Sequence, residues 1–101
     1  MTTDQTQLLE NAQQVAAILK QLANPYRLMI LCSIANRELT VGDLNEQVEL
    51  SQSALSQHLA KLRESKIVST RRESQTIYYT IANQKIKYLL EVLQREFCPQ
   101  N

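Results

Sequence analysis

The fold of this chain is decided by the stretch Ser51-Gln52-Ser53-Ala54-Leu55-Ser56-Gln57-His58-Leu59-Ala60-Lys61-Leu62-Arg63, whose two faces differ in chemistry. At about 100° per residue, Leu55, Leu59 and Leu62 gather on one side of a helix. A merely solvated opposite side would usually carry Glu and Lys, which favour helices. It carries instead short side chains that suit the edges of DNA bases: Ser53, Ser56, Gln57 and Ala60. We therefore predict a DNA recognition helix.

Composition places the stretch in a soluble globular protein. The chain has 101 residues, of which 44% are hydrophobic and 21% charged, which fits one domain over residues 1–101. No run approaches the ~18 to 20 apolar residues that a membrane span needs. The polar opening Met1-Thr2-Thr3-Asp4-Gln5 lacks the basic and apolar regions of a signal peptide, so a cytoplasmic location is expected.

Charge is divided unevenly along the chain. The formal net charge is only +1, but residues 1–50 hold three basic and six acidic residues, a balance of −3. Residues 51–87 hold seven basic and two acidic residues, a balance of +5. Positive charge thus collects from the recognition stretch onward, as expected for a segment that meets phosphates.

Two helices are expected in the first 35 residues. Apolar residues recur at helical spacing from about Asp4 to Leu22, which predicts a first helix of about five turns. Asn24-Pro25 then restarts the chain, because Asn is a favoured N-cap and Pro suits the first helical position. A second helix is expected from about Pro25 to Ala35, apolar nearly all round and therefore deeply placed.

A helix-turn-helix is expected next. Thr40 is predicted to cap a third helix from about Val41 to Val48, and Ser51 to cap the fourth. Two short helices joined by a few residues, the second with a polar outward face, form this motif. Its usual turn glycine is absent, so the prediction rests on the whole pattern.

Beyond residue 66 the hydrophobic period changes to two. Ile67–Arg71 and Thr76–Ile81 are rich in β-branched and aromatic residues, which predicts two strands. Arg72-Glu73-Ser74-Gln75 between them is expected as the turn of a β-hairpin. A hairpin directly after a helix-turn-helix is a wing. Because side chains alternate along a strand, Tyr78 and Tyr79 should face opposite sides.

The last helix is expected to begin after the cap Asn83 and to end at Cys98-Pro99. Its apolar stripe consists of Ile86, Leu89, Leu90, Leu93 and Phe97. Both terminal helices carry more apolar surface than a small core and a hairpin can cover. A homodimer joined through the first and last helices is therefore expected; a monomer that folds both stripes onto its own core is the alternative. The predicted fold class is mainly α with a small β-hairpin (α+β), a winged helix-turn-helix.

The outward face of the recognition helix predicts contacts with double-stranded DNA carrying an inverted repeat. Gln52 and Gln57 can pair with adenine edges, and Ser53 and Ser56 can reach bases or phosphates. Four basic residues are expected mainly to hold phosphates: Lys61, Arg63, Arg71 and Arg72. Gln75 is a further expected DNA-binding residue. A domain that binds only other proteins is the alternative.

Other chemistry finds little support in the sequence. His58, the single histidine, falls within the apolar arc of its helix and is expected to be a hydrogen-bonded core residue. No Ser/His/Asp order, paired carboxylates or phosphate-binding glycine loop is present, so neither an enzyme nor a cofactor is expected. Cys32 and Cys98 are too few for a secreted disulfide scaffold and lack zinc-site spacing. Taken alone, they fit a buried core residue and a frayed helix end as well as a functional pair.

The order of predicted elements resembles the ArsR/SmtB family of winged-helix repressors. The resemblance extends to Asn24-Pro25-Tyr26-Arg27-Leu28, Leu50-Ser51-Gln52-Ser53-Ala54-Leu55-Ser56-Gln57-His58-Leu59 and Gln75-Thr76-Ile77-Tyr78-Tyr79, and it covers nearly the whole chain. It implies a dimeric repressor that binds operator DNA. Metal-sensing members carry cysteines in the third helix or His and Asp in the last one. No cysteine lies in Glu38–Leu44, and neither His nor Asp lies in Asn83–Phe97, so no metal is expected.

Within that family, Cys32 and Cys98 are similar to the cysteine pair of the HlyU/BigR/SqrR/YgaV group, dimeric sensors of persulfides and other reactive sulfur species. The resemblance implies that a persulfide donor modifies one thiolate and that the other resolves it, which leaves a disulfide or polysulfide bridge. DNA would be bound in the reduced state and released on bridging. Peroxide sensing, or a DNA-binding regulator that senses nothing, are the alternatives.

Overall fold

The structure, a computed structural model, describes residues 4–98. Five helices and one antiparallel hairpin follow one another as α1 (Gln5–Leu22), α2 (Pro25–Ser33), α3 (Val41–Gln47), α4 (Gln52–Glu64), β1 (Val68–Glu73), β2 (Thr76–Ile81) and α5 (Gln84–Phe97). This order confirms the predicted winged helix-turn-helix. The predicted end of the last helix at Pro99 lies outside the described residues.

Capping side chains fix the helix starts where the sequence predicted them. Asn24, Thr40, Ser51 and Asn83 each accept a hydrogen bond from a backbone N–H in the first turn of α2, α3, α4 and α5. At Thr40 the bond is reciprocated, because its own N–H donates to the Asp43 carboxylate at 3.1 Å. Each cap contributes about 1 kcal/mol and sets where the helix begins.

The predicted length of α2 was wrong by two residues. The helix ends at Ser33, because the N–H of Ile34 is shared between the carbonyls of Ile30 and Leu31, both at 3.2 Å, and the last turn tightens. The helix is also less deeply placed than predicted. Ile30 and Leu31 are fully buried, but Met29 is 46% exposed.

The core lies beneath the leucine face of α4. Leu55, Leu59 and Leu62 are at most 1% exposed and pack with buried residues from α2, α3, α5 and the start of the wing. Truncating one such leucine to Ala typically costs about 2–5 kcal/mol. This packing holds the opposite face of α4 in solvent.

The wing is longer than predicted and its turn is shorter. Arg72 and Glu73, expected in the turn, belong to β1 and pair with Ile77 and Thr76. Only two residues connect the strands, because Ser74 adopts a left-handed backbone with φ 58°. A two-residue hairpin turn needs that conformation and usually takes it from Gly, Asn or Asp.

Backbone hydrogen bonds position the wing against the helices. At the end of α4, Lys66 (φ 62°) forms a Schellman cap in which Ile67 N–H donates to Leu62 O at 2.9 Å. At the other edge, Leu39 and Tyr79 exchange two backbone hydrogen bonds of 2.8 and 3.2 Å, so the segment before α3 adds a bridge to β2. The wing is thereby held from both sides.

Much of the apolar surface of α1 is left uncovered by this chain. Within α1, Leu22 is buried. Four other apolar side chains of this helix are about half exposed or more: Leu8, Leu9, Val15 and Leu19. On α5, Ile86 and Leu90 are buried but Phe97 is exposed. The radius of gyration is 15.1 Å, against about 13 Å for a compact domain of this length. None of the helices described for residues 4–98 is both long and apolar enough to cross a membrane.

Candidate nucleic-acid interface and cysteine pair

The outward face of α4 has the composition and exposure that the sequence predicted. Ser53, Ser56, Gln57 and Ala60 are all exposed, opposite the buried leucines, and Gln52 is exposed at the first position of the helix. A protruding helix with short polar side chains fits the major groove, about 12 Å wide. Three of the predicted base-contacting residues, Ser53, Ser56 and Gln57, therefore share one surface.

Two concave regions flank this face. At about 100° per residue, Ser56 and Arg63 lie on one flank of α4, while Ala54 and Lys61 lie on the other. On the first flank a pocket of 460 Å³ is shared with Tyr79 of the wing. On the second, a pocket of 130 Å³ lies between α4 and α2, lined by Arg27, Ala54, Gln57, His58 and Lys61. We call these the wing flank and the α2 flank.

Arg71, on the wing, is already occupied by other protein groups. Its guanidinium makes two hydrogen bonds of 2.9 Å to the Glu38 carboxylate and one of 2.9 Å to Glu73, and it lies 4.6 Å from the centre of the Tyr78 ring. The hydrogen bond from Arg71 lowers the pKa of Glu38, and the two carboxylates raise the pKa of Arg71. Three of the five N–H donors of Arg71 are thus already bonded to carboxylates.

The remaining predicted backbone contacts are exposed. Lys61 and Arg63 occupy the last turns of α4, and none of the ion pairs among residues 4–98 involves them. Arg72 donates to the carbonyl oxygen of Ser74 at 3.2 Å, which holds it beside the tip of the wing, and Gln75 is exposed there.

His58 is not the core residue that the sequence predicted. It is half-buried, and its ring stacks on Tyr26 with 6.4 Å between centroids and 28° between planes. Its position at the margin of the leucine arc turns it toward the α2 flank instead of the core. Burial, followed by the positive charges of Arg27 and Lys61, lowers its pKa below 6.5.

Arg27 was missed by the sequence analysis. Its Nη1 donates to Gln21 Oε1 at 2.7 Å, and its Nε is buried with no hydrogen-bond partner among the described residues. Arg27 lies in residues 1–50, whose net charge is negative, so the distribution of charge along the chain did not indicate a DNA contact there. The available signal was its place in the first turn of α2, directly after Asn24-Pro25.

The two cysteines lie near the contact between α2 and the end of α5. Cys32 is half-buried against the core and Cys98, just beyond α5, is exposed; both thiols are free. Gln94 Nε2 donates to the backbone oxygen of Cys32 at 3.5 Å, and Cys98 N–H donates to Gln94 O at 3.0 Å. Cys98 is thus one helical turn from a residue that touches Cys32.

A pocket of 350 Å³ adjoins this contact, lined by Cys32, Ser33, Asn36, Arg37, Gln47 and Gln94. Within residues 4–98, no group of three or more His, Cys, Asp or Glu side chains is arranged to hold a metal ion.

The surface and its motif have close counterparts in known proteins. Residues 24–70, from the cap of α2 into β1, match the sequence pattern of the family described as bacterial regulatory protein, arsR family. The transcriptional activator HlyU of Vibrio cholerae is 47% identical over 92 residues, which are 91% of this chain and 85% of HlyU. This chain belongs to the ArsR family.

Solved structures agree with this assignment to the ArsR family. Reduced HlyU from Vibrio cholerae superposes with a TM-score of 0.86 and 46% identity, covering 90% of this chain and 96% of that one. The transcriptional repressor BigR from Xylella fastidiosa gives 0.84 with 39% identity, covering 97% and 100%. The homodimeric winged helix-turn-helix domain of Mb0332 from Mycobacterium bovis gives 0.79 with 29% identity, covering 94% and 88%. As an ArsR-family protein, the chain is a transcriptional regulator and not an enzyme.

Proposed function

We propose that this regulator is a repressor that binds an inverted-repeat operator as a reduced homodimer and releases it when Cys32 and Cys98 become bridged through sulfur. The observation that carries the proposal is the contact of Gln94 with the backbone of Cys32. It supports a switch because Cys98, the C-cap of α5, follows Gln94 by four residues, a span of about 6 Å at the rise of a helix. A direct disulfide needs Cα atoms within about 7 Å, and a longer sulfur chain relaxes that demand.

On DNA, the outward face of α4 enters the major groove. Gln52 and Gln57 pair with base edges, and Ser53 and Ser56 contact bases or nearby phosphates. The residues that hold the backbone are Lys61, Arg63, Arg72 and Gln75, with Arg71 joining them where it exchanges a carboxylate for a phosphate. Binding through several phosphates makes affinity fall steeply with salt.

A second copy of the chain covers the exposed apolar side of α1 and the free end of α5. Half-exposed leucines on α1 support this arrangement, as does the homodimeric state of the relative Mb0332. Sedimentation measures it directly: Leu19→Glu should shift the dimer toward monomer, while Gln13→Glu, an exposed change on the same helix, should not. A wild-type chain that sediments as a monomer at micromolar concentration contradicts the arrangement.

The sulfur chemistry balances without a further oxidant. One cysteine thiolate attacks the sulfane sulfur of a persulfide donor, takes that sulfur and expels the donor thiolate. The other thiolate then attacks the modified cysteine sulfur, forming the disulfide and releasing hydrosulfide. A donor that delivers additional sulfane sulfur leaves a polysulfide instead. Exposure favours Cys98 as the first to react.

Bridging ties the end of α5 to α2 and so constrains the helix that contributes to the dimer contact. A shift in the spacing of the two recognition helices lowers operator affinity. A 10- to 100-fold release needs about 1.4–2.8 kcal/mol of differential stability between the two conformations.

The test is a gel shift on a candidate inverted-repeat promoter, with reduced and persulfide-treated protein. Cys32→Ser and Cys98→Ser should each bind DNA like the reduced wild type and should not be released by persulfide. Intact mass spectrometry after persulfide or peroxide identifies which oxidant bridges the pair. Release of both variants by persulfide, as in the wild type, would refute the switch.

A further inference from the structure

The α2 flank of the recognition helix is a small pocket whose polar lining carries positive charge and no negative charge. Arg27 from α2 and Lys61 from α4 both line it, together with Gln57 and His58. None of these lining residues is acidic, and none of the ion pairs among residues 4–98 involves either cation. Two uncompensated cations held together repel each other unless an anion lies between them.

Arg27 supplies a second, independent observation. Its Nε is buried but has no hydrogen-bond partner among the described residues, although Nη1 is held by Gln21. A buried guanidinium N–H without an acceptor is destabilising. Nε itself is out of reach of a group outside the chain, but Arg27 lines the pocket, and the guanidinium N–H groups other than Nε and the one bonded to Gln21 remain for an acceptor there.

The position of the pocket identifies the anion. A helix in the major groove has a sugar-phosphate backbone on each side. The wing lies beside one flank of α4, where Tyr79 lines the neighbouring pocket. The pocket with Arg27 lies on the opposite flank and shares Gln57 with the outward face.

We propose that the pocket formed by Arg27, His58 and Lys61 binds a backbone phosphate of the DNA strand that lies across the major groove from the wing. This inference rests on the proposed DNA binding and adds two residues to it, Arg27 and His58. Tyr26, stacked on His58, holds the imidazole at the edge of the pocket. The phosphate contact is independent of base sequence and fixes the rotation of α4 in the groove.

His58 reports on the pocket, because it is the only histidine of the chain and its imidazole NMR signals need no assignment among others. Arg27 and Tyr26 on α2 and Lys61 on α4 surround it. A phosphate bound beside it favours the protonated ring. The measurement is the pKa of His58 in the free wild-type protein, with inorganic phosphate, and with a random-sequence duplex of about 30 base pairs, long enough for two half-sites.

The expected result is a rise in the pKa of His58 on binding the duplex, by more than inorganic phosphate produces. In parallel, Arg27→Gln should reduce the slope of log K against log salt by about 0.9, the share of one phosphate contact. Arg27→Lys, which retains the charge, should keep most of that slope. The NMR measurement uses the unaltered chain and so does not depend on how well the variants fold.

A duplex complex in which the pKa of His58 is unchanged or lower, or an Arg27→Gln variant with the wild-type salt slope, overturns the inference while leaving DNA binding intact. A pKa that responds to inorganic phosphate but not to the duplex also overturns it, in favour of a small-anion site. Failure of the wild type to bind duplex DNA with a salt-dependent affinity overturns the proposed function, and this inference with it.

Discussion

Arg71 on the wing and Arg27 on the α2 flank are two arginines in opposite electrostatic states. On the wing, Arg71 is neutralised by Glu38 and Glu73 and lies against Tyr78. On the α2 flank, Arg27 and Lys61 have no acidic neighbour lining their pocket. An arginine paired with carboxylates holds elements of the protein together, whereas unpaired cations are free to take a phosphate. Counting basic residues does not distinguish the two.

The largest effect is expected from placing a negative charge on the α2 flank. Lys61→Glu removes one phosphate contact, worth roughly tenfold in affinity at 0.1 M salt, and adds repulsion, for a total loss of about 30- to 100-fold. Fluorescence anisotropy with labelled duplex measures it. Lys85→Glu, the same change of net charge at an exposed position of α5, is the matched control and should lose far less. Equal losses in both variants would mean that only net charge matters.

A second, smaller effect concerns pH. The pKa of His58 lies below 6.5 in the free protein, and a nearby phosphate raises it. The complex therefore takes up a proton, so affinity should rise as pH falls through the pKa of the bound state and should level off below that of the free state. The gain is at most about tenfold for each unit by which the pKa rises. Titrations between about pH 8 and pH 5.5 cover this window for an imidazole, whose pKa is ordinarily about 6.5.

His58→Gln is the matched variant for the pH experiment, since it keeps a polar side chain but cannot titrate. Its affinity for DNA should vary less with pH than that of the wild type. A variant that retains the full pH dependence would place the titrating group elsewhere.

The ion pair of Arg71 on the wing should respond differently to loss of charge. Glu38→Gln weakens the bidentate ion pair with Arg71, which contributes little stability because both side chains are exposed to solvent. DNA affinity should fall by no more than about fivefold, with an unchanged salt slope, because the wing is less well held. Glu10→Gln on α1 is the control for net charge. If affinity instead rises and the slope steepens, Arg71 is a phosphate ligand that Glu38 restrains.

The smallest effect is expected from a neutral change at the wing tip. Ser74→Gly relieves the left-handed backbone and should raise the free energy of unfolding by about 0.5–1 kcal/mol with little change in DNA affinity. Ser69→Gly, at an extended position of β1, should lower it. Urea denaturation compares the two; destabilisation by Ser74→Gly would contradict the strain argument.

Local chemistry made much of this fold predictable. The caps at Asn24, Thr40, Ser51 and Asn83 act within three residues of their partners, and the leucine period of α4 defines both its buried and its exposed face. These features depend only on neighbours in sequence. The winged helix-turn-helix and the exposed face of α4 followed from them.

The missed features depend on partners that are distant in sequence or on unusual backbone. Glu38 and Arg71 are 33 residues apart, and no local pattern indicates that they meet. The turn of the wing was predicted too long because Ser74 adopts a left-handed backbone conformation, which in most hairpin turns is adopted by glycine. His58 lies at the edge of the leucine arc, where a small rotation of the helix decides whether a side chain faces the core or the pocket between α2 and α4.

The exposed side of α1 has a consequence for folding. Most of the stability of a helix in a protein comes from the packing of its apolar face, so the helical state of residues 5–22 depends on what packs against Leu8, Leu9, Val15 and Leu19. With a second copy as that partner, folding follows mass action, and the midpoint of thermal unfolding rises with protein concentration. The abundance of the regulator then governs how much of it is folded as well as how much operator it occupies.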